Sequence, residues 1–540
     1  GWGGVPAAGS TDLELVLAAY GARDPAVLDG LLGDFGLVLW DSARGELTAV
    51  RDAFGVKPLF VAHDGATLLL SSSLDALAGE RDVDEEFVAD FLAGGSSPGG
   101  RTIWAGCRAL EPGEVLRSAD GIVTTRRAWS PFAFTPAARV DERQATETFR
   151  ELFLESVRLR ADGGGGGVWA HLSGGLDSSS VVCAADHLAR AGRLPRGLDG
   201  TVTMVDTLGD GDERRWSDAV VERCGVANET LVDRWAWQDD AAPPTRTGEP
   251  RSHYPFWARD RAMTALLRER GARVLLSGQG ADHYLTGNWG YVTDLLAARR
   301  VGEGLRELTR LSVGVRQSFW TGLGRHGVQP FLPAALRQRT ARRHERLPGW
   351  IEPAFARRTG MEDRLPAARR LAVEERRGSR FAHEIAVEMA GLTGFLEREP
   401  FGGALEVRYP FLYRPLVEHS LRLPPQMRIR AGTGKYVLRE AMRGILPEAV
   451  RTRRGKGGID ARLLWTLGHE APRLRELLRD PVVARRGWVR PDRLRQAVED
   501  ARCGEVGSLP FLLCTLALET WLAAREGASP WDRQMNDTAA

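Results

Sequence analysis

The sequence predicts a mixed α/β protein whose larger part carries a doubly wound parallel sheet. Apolar runs at 168–170, 200–205 and 274–276 have the composition of buried strands, and helical segments lie between them. Strands that alternate with helices in this way are typical of parallel sheets, whose ligands bind outside the carboxyl ends of the strands. A chain of 540 residues also exceeds the usual size of one domain, so at least two domains are expected.

The N-terminal part is predicted to be β-rich. A helix at 12–20 is followed by closely spaced strand candidates and by a helix near 85–92. The strand candidates, the first two of which flank a turn at 41–45, lie at 33–41, 47–52, 58–62 and 67–72. A proline-marked connection at 129–132 places the boundary near 135, which gives domains of 1–135 and 136–540.

Composition and charge narrow the class of protein. Hydrophobic residues make up 43% and charged residues 27% of the chain, as in ordinary globular proteins. A formal net charge of +2 does not indicate a nucleic-acid binder, and no apolar run reaches the length of a membrane span. Five cysteines without C-x-x-C spacing fit a reducing compartment rather than a zinc site or a disulfide framework. With no signal-peptide pattern at the start, we expect a cytoplasmic protein that binds neither nucleic acid nor membrane.

One stretch combines the features of an anion-binding loop. Strand 168–170 leads into residues 171–180, H-L-S-G-G-L-D-S-S-S, and a helical segment follows. Backbone N–H groups at a helix N-terminus bind anions, and the two glycines let the backbone approach a ligand. The serine hydroxyls add donors, and the aspartate suits a hard cation such as Mg²⁺. The candidates for binding a polyphosphate such as ATP are Leu172, Ser173, Gly174, Gly175, Asp177 and Ser178.

A second loop has the same design. Strand 274–276 ends in residues 277–282, S-G-Q-G-A-D, again a glycine turn followed by a carboxylate. Because the carboxyl ends of parallel strands meet at one edge, Asp177 and Asp282 are predicted to share one metal ion. The further ATP-binding candidates are Ser277 and Gly278 in this loop and, at the end of strand 200–205, Thr203 and Met204. For the last two, which would meet the adenine, ordinary sheet core is the alternative.

Only three of the 73 basic residues are lysines, namely Lys57, Lys435 and Lys456. Since arginine stands almost everywhere that either residue serves, the remaining lysines indicate positions that need a compact ammonium group. Both Lys435, at the start of a predicted helix, and Lys456, set among glycines, are candidate catalytic residues that contact phosphate. The neighbouring arginines are predicted to form a solvated face: Arg451, Arg453 and Arg454.

Five motifs together resemble the asparagine synthetase superfamily. They are S-G-G-L-D-S-S at 173–179, S-G-Q-G-A-D at 277–282, E-V-R-Y-P-F-L at 406–412, G-K-Y-V-L-R-E-A at 434–441 and R-R-G-K at 453–456. The first of them also matches the pyrophosphate loop of the N-type ATP pyrophosphatases. The resemblance implies ATP and Mg²⁺ as cofactors. It further implies that a substrate carboxylate attacks the α-phosphate, pyrophosphate leaves, and an amide forms from the acyl-adenylate.

The N-terminal part resembles the second half of the glutaminase domain of asparagine synthetase B-type enzymes. The resemblance rests on G-D-F-G-L-V-L-W-D at 33–41 and R-D-A-F-G-V-K-P-L-F at 51–60. Such domains are N-terminal-nucleophile hydrolases, whose catalytic cysteine is exposed at the mature N-terminus. No cysteine precedes Cys107 in this sequence. We expect a truncated chain or, as the favoured alternative, a glutaminase-like domain without activity, with Cys107 as a small buried residue.

Departures from the family pattern bear on the reaction. Gln279 stands where asparagine synthetases have glutamate and β-lactam synthetases have tyrosine, and an amide cannot act as a general base. Glu406 and His283 are the candidates for that catalytic role. The alternative for Glu406 is a structural ion pair with Arg408, and the alternative for His283 is a histidine at the surface. Tyr413 replaces an aspartate of the family. Without a glutaminase nucleophile, we expect an amine of the substrate itself to attack.

These departures make the chain similar to actinobacterial lasso peptide cyclases. Those enzymes combine a remnant glutaminase domain with this synthetase domain and with a segment like 282–289 followed by a basic helical stretch. They activate an Asp or Glu side chain of a precursor peptide, and its N-terminal amine closes an isopeptide macrolactam. The resemblance implies a precursor peptide, a leader peptidase and a leader-binding protein as partners. The arginine-rich stretch 299–345 is predicted to line a peptide-sized cavity together with Trp289, Tyr291, Phe319 and Trp320. The alternative is that these residues form ordinary helix surface and core.

Two other functions stay open on the sequence. One keeps the activation chemistry and uses a small-molecule acceptor, as in a β-lactam synthetase or an asparagine synthetase whose start is missing. The other is a non-enzymatic scaffold that keeps the fold. The paired acidic loops and the retained lysines argue against the scaffold.

Overall fold

In the computed structural model the chain folds into a β-rich part, a parallel sheet and a large set of helices. The structure describes residues 11–22, 25–63, 65, 67–94, 98–162, 165–206, 213–232, 248–250, 257–314, 317–333, 335–337, 346–365, 379–392, 396, 405–430, 432–455, 460–505 and 507–527. Within those ranges, no helix has both the length and the apolar character needed to cross a membrane.

Two antiparallel sheets form the N-terminal part. Their strands are β1 (Gly36–Asp41), β2 (Glu46–Arg51), β3 (Phe60–His63), β4 (Leu68–Ser71), β5 (Cys107–Ala109), β6 (Glu114–Ala119) and β7 (Ile122–Arg127). One sheet has the order β1-β2-β6-β7 and the other the order β4-β3-β5. The helices of this part are Asp12–Ala22, Asp75–Ala78 and Glu85–Leu92, with 3₁₀ turns at Pro25–Gly30, Pro98–Gly100 and Pro131–Ala133. The predicted β-rich unit is confirmed.

The β1–β2 hairpin shows how local sequence fixes this part. The Asp41 carboxylate accepts hydrogen bonds from the backbone N–H groups of Ala43 (3.0 Å) and Arg44 (3.1 Å). Gly45 follows in the left-handed region, with a φ of 63°, which glycine adopts without a steric cost. The turn predicted at 41–45 is therefore confirmed, and it sets the antiparallel register from Gly36 opposite Arg51 onward.

The second part is built on a five-stranded sheet. Its strands are β8 (Gly167–His171), β9 (Gly200–Val205), β10 (Asn228–Val232), β11 (Ala272–Leu276) and β12 (Glu406–Arg408). They lie in the order β10-β9-β8-β11-β12, and every neighbouring pair is parallel. After β8, β9, β10 and β11, the first helices to follow in the described chain are Leu176–Arg190, Arg214–Cys224, Trp257–Glu269 and Ala281–Leu285, respectively. The predicted parallel sheet is confirmed.

The strand order creates one switch point. From β8 the chain runs outward through β9 to β10, and then β11 returns on the opposite side of β8. Connections that leave neighbouring strands in opposite directions open a crevice at the carboxyl ends of those strands. The loops after β8 and β11, which carry the two predicted glycine turns, therefore border the same crevice.

Helices make up most of the remaining described chain. Their bounds are Glu142–Arg160, Gly290–Ala297, Val301–Gly314, Phe319–Gly322, Pro353–Arg358, Met361–Arg364, Arg380–Ala390, Arg414–Arg422, Pro425–Arg428, Tyr436–Ala441, Glu448–Arg451, Asp460–His469, Ala471–Leu477, Val482–Arg485, Pro491–Arg502 and Leu509–Arg525. A π-helical turn at Leu323–Val328, 3₁₀ turns at Gln329–Phe331 and Pro410–Leu412, and a ribbon of β13 (Ile429–Arg430) with β14 (Thr433–Gly434) complete this set.

Two hydrophobic cores include residues from both sides of the predicted boundary near 135. In the first, Phe54 and Trp129, whose ring centroids lie 5.0 Å apart, join the core of the parallel sheet and helix Glu142–Arg160. In the second, helix Glu85–Leu92 packs with the C-terminal helices, and the rings of Trp104 and Trp521 lie 5.7 Å apart. The N-terminal part is thus anchored to the parallel-sheet part and to the C-terminal helices by apolar packing.

Candidate active site

The first loop, residues 172–178, follows β8 and is closed by its own serines. The backbone N–H of Leu172 donates to the carbonyl of Val202 (2.9 Å), which extends the β8–β9 pairing into the loop. The N–H of Ser173 donates to Oγ of Ser178 (3.1 Å), and the N–H of Gly175 donates to Oγ of Ser173 (3.3 Å). The loop is thus held in a tight turn ahead of the helix Leu176–Arg190, called the loop helix below.

Two glycines let backbone segments approach one another at the crevice. A Cβ on Gly174, whose φ is 69°, would lie 2.8 Å from the backbone N of Ser217 in the neighbouring helix, Arg214–Cys224. A Cβ on Gly278 would lie 2.7 Å from the backbone N of Ser178. The second loop, residues 277–282, therefore packs directly on the first turn of the loop helix. The predicted meeting of the two loops is confirmed.

Lys435 joins the acidic ends of the two loops. Its Nζ pairs with Oδ2 of Asp177 and lies 2.5 Å from Oδ1 of Asp282. The Lys435 side chain is only 12% exposed, whereas that of Asp282 is 62% exposed. Burial alone would lower the pKa of Lys435, but the two carboxylates outweigh it and raise that pKa. Lys435 is therefore an ammonium ion placed between two carboxylates that come from different strands.

Local structure explains how Lys435 reaches this position. It directly precedes helix Tyr436–Ala441, as predicted, and has a φ of 57°. Its backbone N–H donates to the carbonyl of Leu285 (3.2 Å), at the end of the helix that starts in the second loop. A cation at a helix N-terminus is disfavoured by the helix dipole. Here Asp177 and Asp282 supply the compensating negative charge.

The same two carboxylates suit a divalent cation. No group of three or more potential metal ligands occurs within the described part of the chain. Mg²⁺ in phosphate-binding sites commonly takes only one or two protein carboxylates and completes its shell with phosphate oxygens and water. Asp177 and Asp282, which contact one and the same cationic nitrogen, fit that donor set. Their metal role stays a prediction.

Arg453 was missed as a site residue by the sequence interpretation. Its side chain is only 8% exposed and pairs with Glu213, and Nη1 donates to the carbonyl of Gly174 (3.2 Å). Its guanidinium carbon lies 3.7 Å from the ring centroid of Trp216. Arg453 thus connects the C-terminal part to the first loop and to the start of the neighbouring helix.

The predicted solvated face is therefore wrong for two of its three arginines. Arg453 lies against the first loop, and Arg451 is buried in ion pairs with Glu440 and Glu448. Arg454 is exposed, as predicted. A run of charges contains no local signal for the one side chain that folds inward, because its partners lie more than 200 positions away in the sequence.

The strand-end candidates Thr203 and Met204 differ in their surroundings. The Thr203 hydroxyl is buried and donates to Oδ1 of Asn228 on β10 (2.9 Å). That bond favours the sheet-core alternative for Thr203. Met204 is partly exposed near the carboxyl end of β9. A nucleotide contact of Met204 stays a prediction.

The two candidate bases are placed differently. Glu406 pairs with Arg408 (2.9 Å) and with Lys57 of the N-terminal part (3.2 Å), and these partners lower its pKa in spite of burial. The register sets it opposite Val274, inside the sheet rather than at the loops. These contacts favour the structural ion pair over a catalytic role for Glu406.

His283 follows Asp282 directly in the second loop's helix, and it is half-buried rather than a surface residue. Burial lowers the pKa of His283, so its imidazole is neutral at neutral pH and able to accept a proton. Of the two candidate bases, His283 therefore lies next to Asp282 in the second loop, whereas Glu406 lies in β12.

Gln279 lies in the second loop between the two strand-end motifs. Its backbone N–H donates to Oγ of Ser277 (3.3 Å). Its side-chain Oε1 is buried and accepts no hydrogen bond from the part of the chain that the structure describes. A buried carbonyl oxygen that lacks a donor is costly unless a ligand or water supplies one.

The aromatic residues predicted to line a peptide cavity are divided between core and surface. Tyr291 is buried, and its hydroxyl accepts a hydrogen bond from Gln426 (2.9 Å). Trp289 stacks on His326 with ring centroids 4.9 Å apart, whereas Trp320 is 75% exposed. Side chains divided in this way between core and surface correspond to the alternative of ordinary helix packing, and part of 299–345 lies outside the described residues.

Two further predicted positions complete the comparison. Lys456 lies outside the described residues, so its catalytic assignment stays a prediction. Cys107 is buried, its Sγ lies 3.7 Å from the carbonyl oxygen of Leu77, and burial raises the pKa of its thiol. The expectation that Cys107 is a small buried residue is confirmed.

Comparison with known proteins now adds to this geometry. The model of the asparagine synthase family matches residues 148–523, which include both loops and Lys435. The chain belongs to the asparagine synthase family. The model of a glutamine amidotransferase domain matches residues 3–129, which agrees with the glutaminase-like N-terminal part. Members of the family use ATP, typically with Mg²⁺, and the reaction class is that of an ATP-dependent amide-forming ligase.

Curated relatives are distant but cover much of the chain. Asparagine synthetase 3 of Bacillus subtilis (strain 168), named as glutamine-hydrolysing, is 25% identical over 471 residues, which are 82% of this chain and 70% of that protein. Amidase chyE of Penicillium rubens is 23% identical over 552 residues, 91% of this chain and 79% of that protein. Amidase chry2 of Gibberella zeae is 25% identical over 310 residues, 54% of this chain and 45% of that protein.

Proposed function

We propose that this chain is a peptide macrolactam synthetase. It activates a side-chain carboxylate of a precursor peptide with ATP and joins that carboxylate to an amine of the same peptide. The observation that carries the proposal is Gln279, an amide in the loop that also supplies Asp282. Asparagine synthetases, which transfer ammonia, have glutamate at this position. We take the replacement of that glutamate by Gln279 to accompany the replacement of ammonia by an amine of the peptide as the attacking group.

The activation half of the reaction is assigned to the crevice between β8 and β11. The first turn of the loop helix supplies backbone N–H groups and a positive dipole end for a polyphosphate. Gly174 and Gly278 leave no room for a Cβ, which supports a site built from closely packed backbone. Mg²⁺ held by Asp177 and Asp282 would neutralise phosphate charge while pyrophosphate leaves.

Lys435 supplies the fixed positive charge of this site. Its raised pKa keeps the side chain protonated, and its three N–H groups have two carboxylates as partners. A buried ammonium ion stabilises charge that develops on phosphate oxygens more strongly than one in water. We assign Lys435 to that role. Arg453 positions the loop and needs no contact with substrate.

The amide-forming half needs an acceptor for the proton of the attacking amine. Gln279 cannot accept it, but its unpaired Oε1 can hold an N–H group of the peptide. His283 is neutral at neutral pH and neighbours Asp282. We propose that Gln279 orients the amine and that His283 takes its proton.

The test measures pyrophosphate release and peptide mass together. The full chain is incubated with ATP, Mg²⁺ and a precursor peptide whose leader is removed or supplied with a leader peptidase and a leader-binding protein. We expect pyrophosphate release and a product lighter by one water. A peptide with an acetylated N-terminus should give no ring. A peptide in which an amide replaces the carboxylate that is activated should release no pyrophosphate.

The alternatives give different results in the same assay. Release only with aspartate and glutamine or ammonia would identify an enzyme that amidates a small carboxylate, such as an asparagine synthetase, which the name of the Bacillus relative favours. Absence of release with any substrate would identify a non-enzymatic scaffold. Asp177→Asn is the matched protein control, and it should abolish release with whichever substrate is active.

A further inference from the structure

A pair of cysteines lies beyond the first turn of the loop helix. Cys183 on the loop helix and Cys224 at the end of the neighbouring helix have their sulfur atoms 3.6 Å apart. Both are free thiols. To form a bond, the two sulfur atoms need to approach by only about 1.5 Å.

The backbone around Cys224 permits that approach. Cys224 is the last residue of its helix, and Gly225 follows in the left-handed region with a φ of 65°. Nothing lies within 4 Å of the position that a Cβ on Gly225 would take. Open space therefore lies directly after Cys224, although Cys224 itself packs against the main core.

The surroundings favour thiol chemistry at Cys224. Nη2 of Arg190 donates to the carbonyls of Arg223 (3.1 Å) and Cys224 (3.3 Å), which brings its positive charge to this helix end. The hydrogen bond with Cys183 lowers the pKa of Cys224, and Arg190 and Arg223 lower it further against burial and Asp186. The same hydrogen bond and burial raise the pKa of Cys183. A partly exposed thiol among cations is the reactive kind.

One member of the pair borders a small cleft. A cleft of about 200 Å³ is lined by Cys183, Asp186, Arg190 and Arg223, and Cys224 is not among its lining residues. Cys183 itself is buried, whereas Cys224 is half-buried. Cys224 is therefore the more exposed residue of the two, while Cys183 is the one that borders the cleft.

We propose that Cys183 and Cys224 are a reversible disulfide site that responds to peroxide. The Cys224 thiolate attacks one peroxide oxygen, which gives a sulfenic acid and releases one water once protons are counted. The Cys183 sulfur then attacks the Cys224 sulfur, forms the disulfide and expels a second water. Two thiols lose two electrons and peroxide gains them. A thiol reductant reverses the reaction.

The disulfide would connect the two helices that hold the first loop. The neighbouring helix contacts Gly174 at one end and carries Cys224 at the other. The loop helix starts directly after Gly175 and carries Cys183 two turns later. A bond at this place fixes the neighbouring helix relative to the loop, independently of which substrate the protein activates.

The experiment uses the full chain with Cys503→Ser, because Cys503 is the exposed thiol. The folded protein is treated with hydrogen peroxide, alkylated, digested and analysed by mass spectrometry without reductant. We expect a cross-linked peptide pair containing Cys183 and Cys224, two hydrogens lighter than the reduced pair, and its loss on adding dithiothreitol. Free-thiol titration should fall by two per chain.

Two variants keep the proposal falsifiable. In Cys183→Ser, dimedone should label Cys224 as a trapped sulfenic acid, and in Cys224→Ser, Cys183 should stay reduced, like the buried Cys514. Circular dichroism checks that each variant is folded. The proposal is overturned if both thiols stay reduced at a peroxide dose that oxidises Cys503 in the wild-type chain. It is equally overturned if Cys224 is oxidised while Cys183 is present and no cross-link forms.

Discussion

Lys435 is the side chain at which the two acidic loops converge. It contacts Asp177 and Asp282, which lie more than 100 positions apart in the sequence. The sequence marks Lys435 as one of three lysines in an arginine-rich chain, at the start of a predicted helix and within the motif at 434–441. The partners of its ammonium group became visible only in the fold, because they lie on loops after different strands.

Replacing Lys435 tests its electrostatic role. Lys435→Met removes the charge that stabilises phosphate oxygens, so we expect pyrophosphate release to fall by about 10²- to 10³-fold. Lys435→Arg keeps the charge but changes its shape, and should retain an intermediate rate. Steady-state assays measure the change, and circular dichroism checks folding. A Lys435→Met protein with more than half of the wild-type rate would remove Lys435 from the mechanism.

His171 makes the stability of the folded chain depend on pH. Burial lowers the pKa of His171 from 6.5 to about 4, and Arg259 adds to the effect. The unfolded chain therefore binds a proton at a higher pH than the folded chain. The contribution of neutral His171 to the free energy of unfolding is therefore complete above pH 6.5, and it is lost as the pH falls toward about 4.

The matched measurement compares wild type with His171→Gln in denaturant unfolding at several pH values. Between about pH 7 and pH 4 the wild type should lose up to about 3 kcal/mol more than the variant. Equal pH profiles for the two proteins would show that His171 titrates alike in the folded and unfolded states.

At the scale of elements, the packing of the two loops decides the geometry of the crevice. The loop after β8 and its helix could be predicted, since strand, glycine turn and helix follow one another locally. The second loop could be predicted for the same reason. The direct backbone contact of Gly278 with Ser178 could not, because it depends on how β8 and β11 lie side by side.

A pair of glycine substitutions tests that contact. Gly278→Ala places a Cβ 2.7 Å from the backbone N of Ser178, so the loops must move apart. We expect pyrophosphate release to fall by about 10- to 100-fold, because a misplaced loop misorients ATP. Gly302→Ala is the control, since nothing lies within 4 Å of its Cβ position and its helix is exposed there. That variant should keep full activity and equal or higher stability.

The contrast between the two variants is the informative result. A Gly278→Ala protein as active as Gly302→Ala would show that the loops need no close contact. Loss of activity in both would point to a general effect of substitution. Melting temperatures of both variants separate loop displacement from unfolding.

At the scale of the whole molecule, shared cores join the N-terminal sheets to the synthetase part. The sequence predicts two domains from strand spacing and a proline-marked connection. In the described chain, antiparallel sheets precede that connection and a parallel sheet follows it. The sequence does not predict that helix Glu85–Leu92 packs against helix Leu509–Arg525, because amphipathic patterns reveal a buried face but not its partner. The ion pair of Lys57 with Glu406 is unpredictable for the same reason.

Trp521 tests whether the molecule unfolds as one unit. Its side chain is fully buried and packs near Trp104 of the N-terminal part. Trp521→Ala should cost about 3–5 kcal/mol. Calorimetry should show the transition of the N-terminal part moving to lower temperature together with that of the C-terminal helices. An unchanged N-terminal transition would mean that the shared core adds nothing to the stability of that part.

We propose that this member of the asparagine synthase family activates a carboxylate and joins it to an amine of the same peptide. The most direct measurement is the mass of a precursor peptide after incubation with the full chain, ATP and Mg²⁺. We expect a peptide lighter by one water, formed with wild type and absent with Asp177→Asn. A peptide of unchanged mass, while aspartate and glutamine are converted into asparagine, would contradict it.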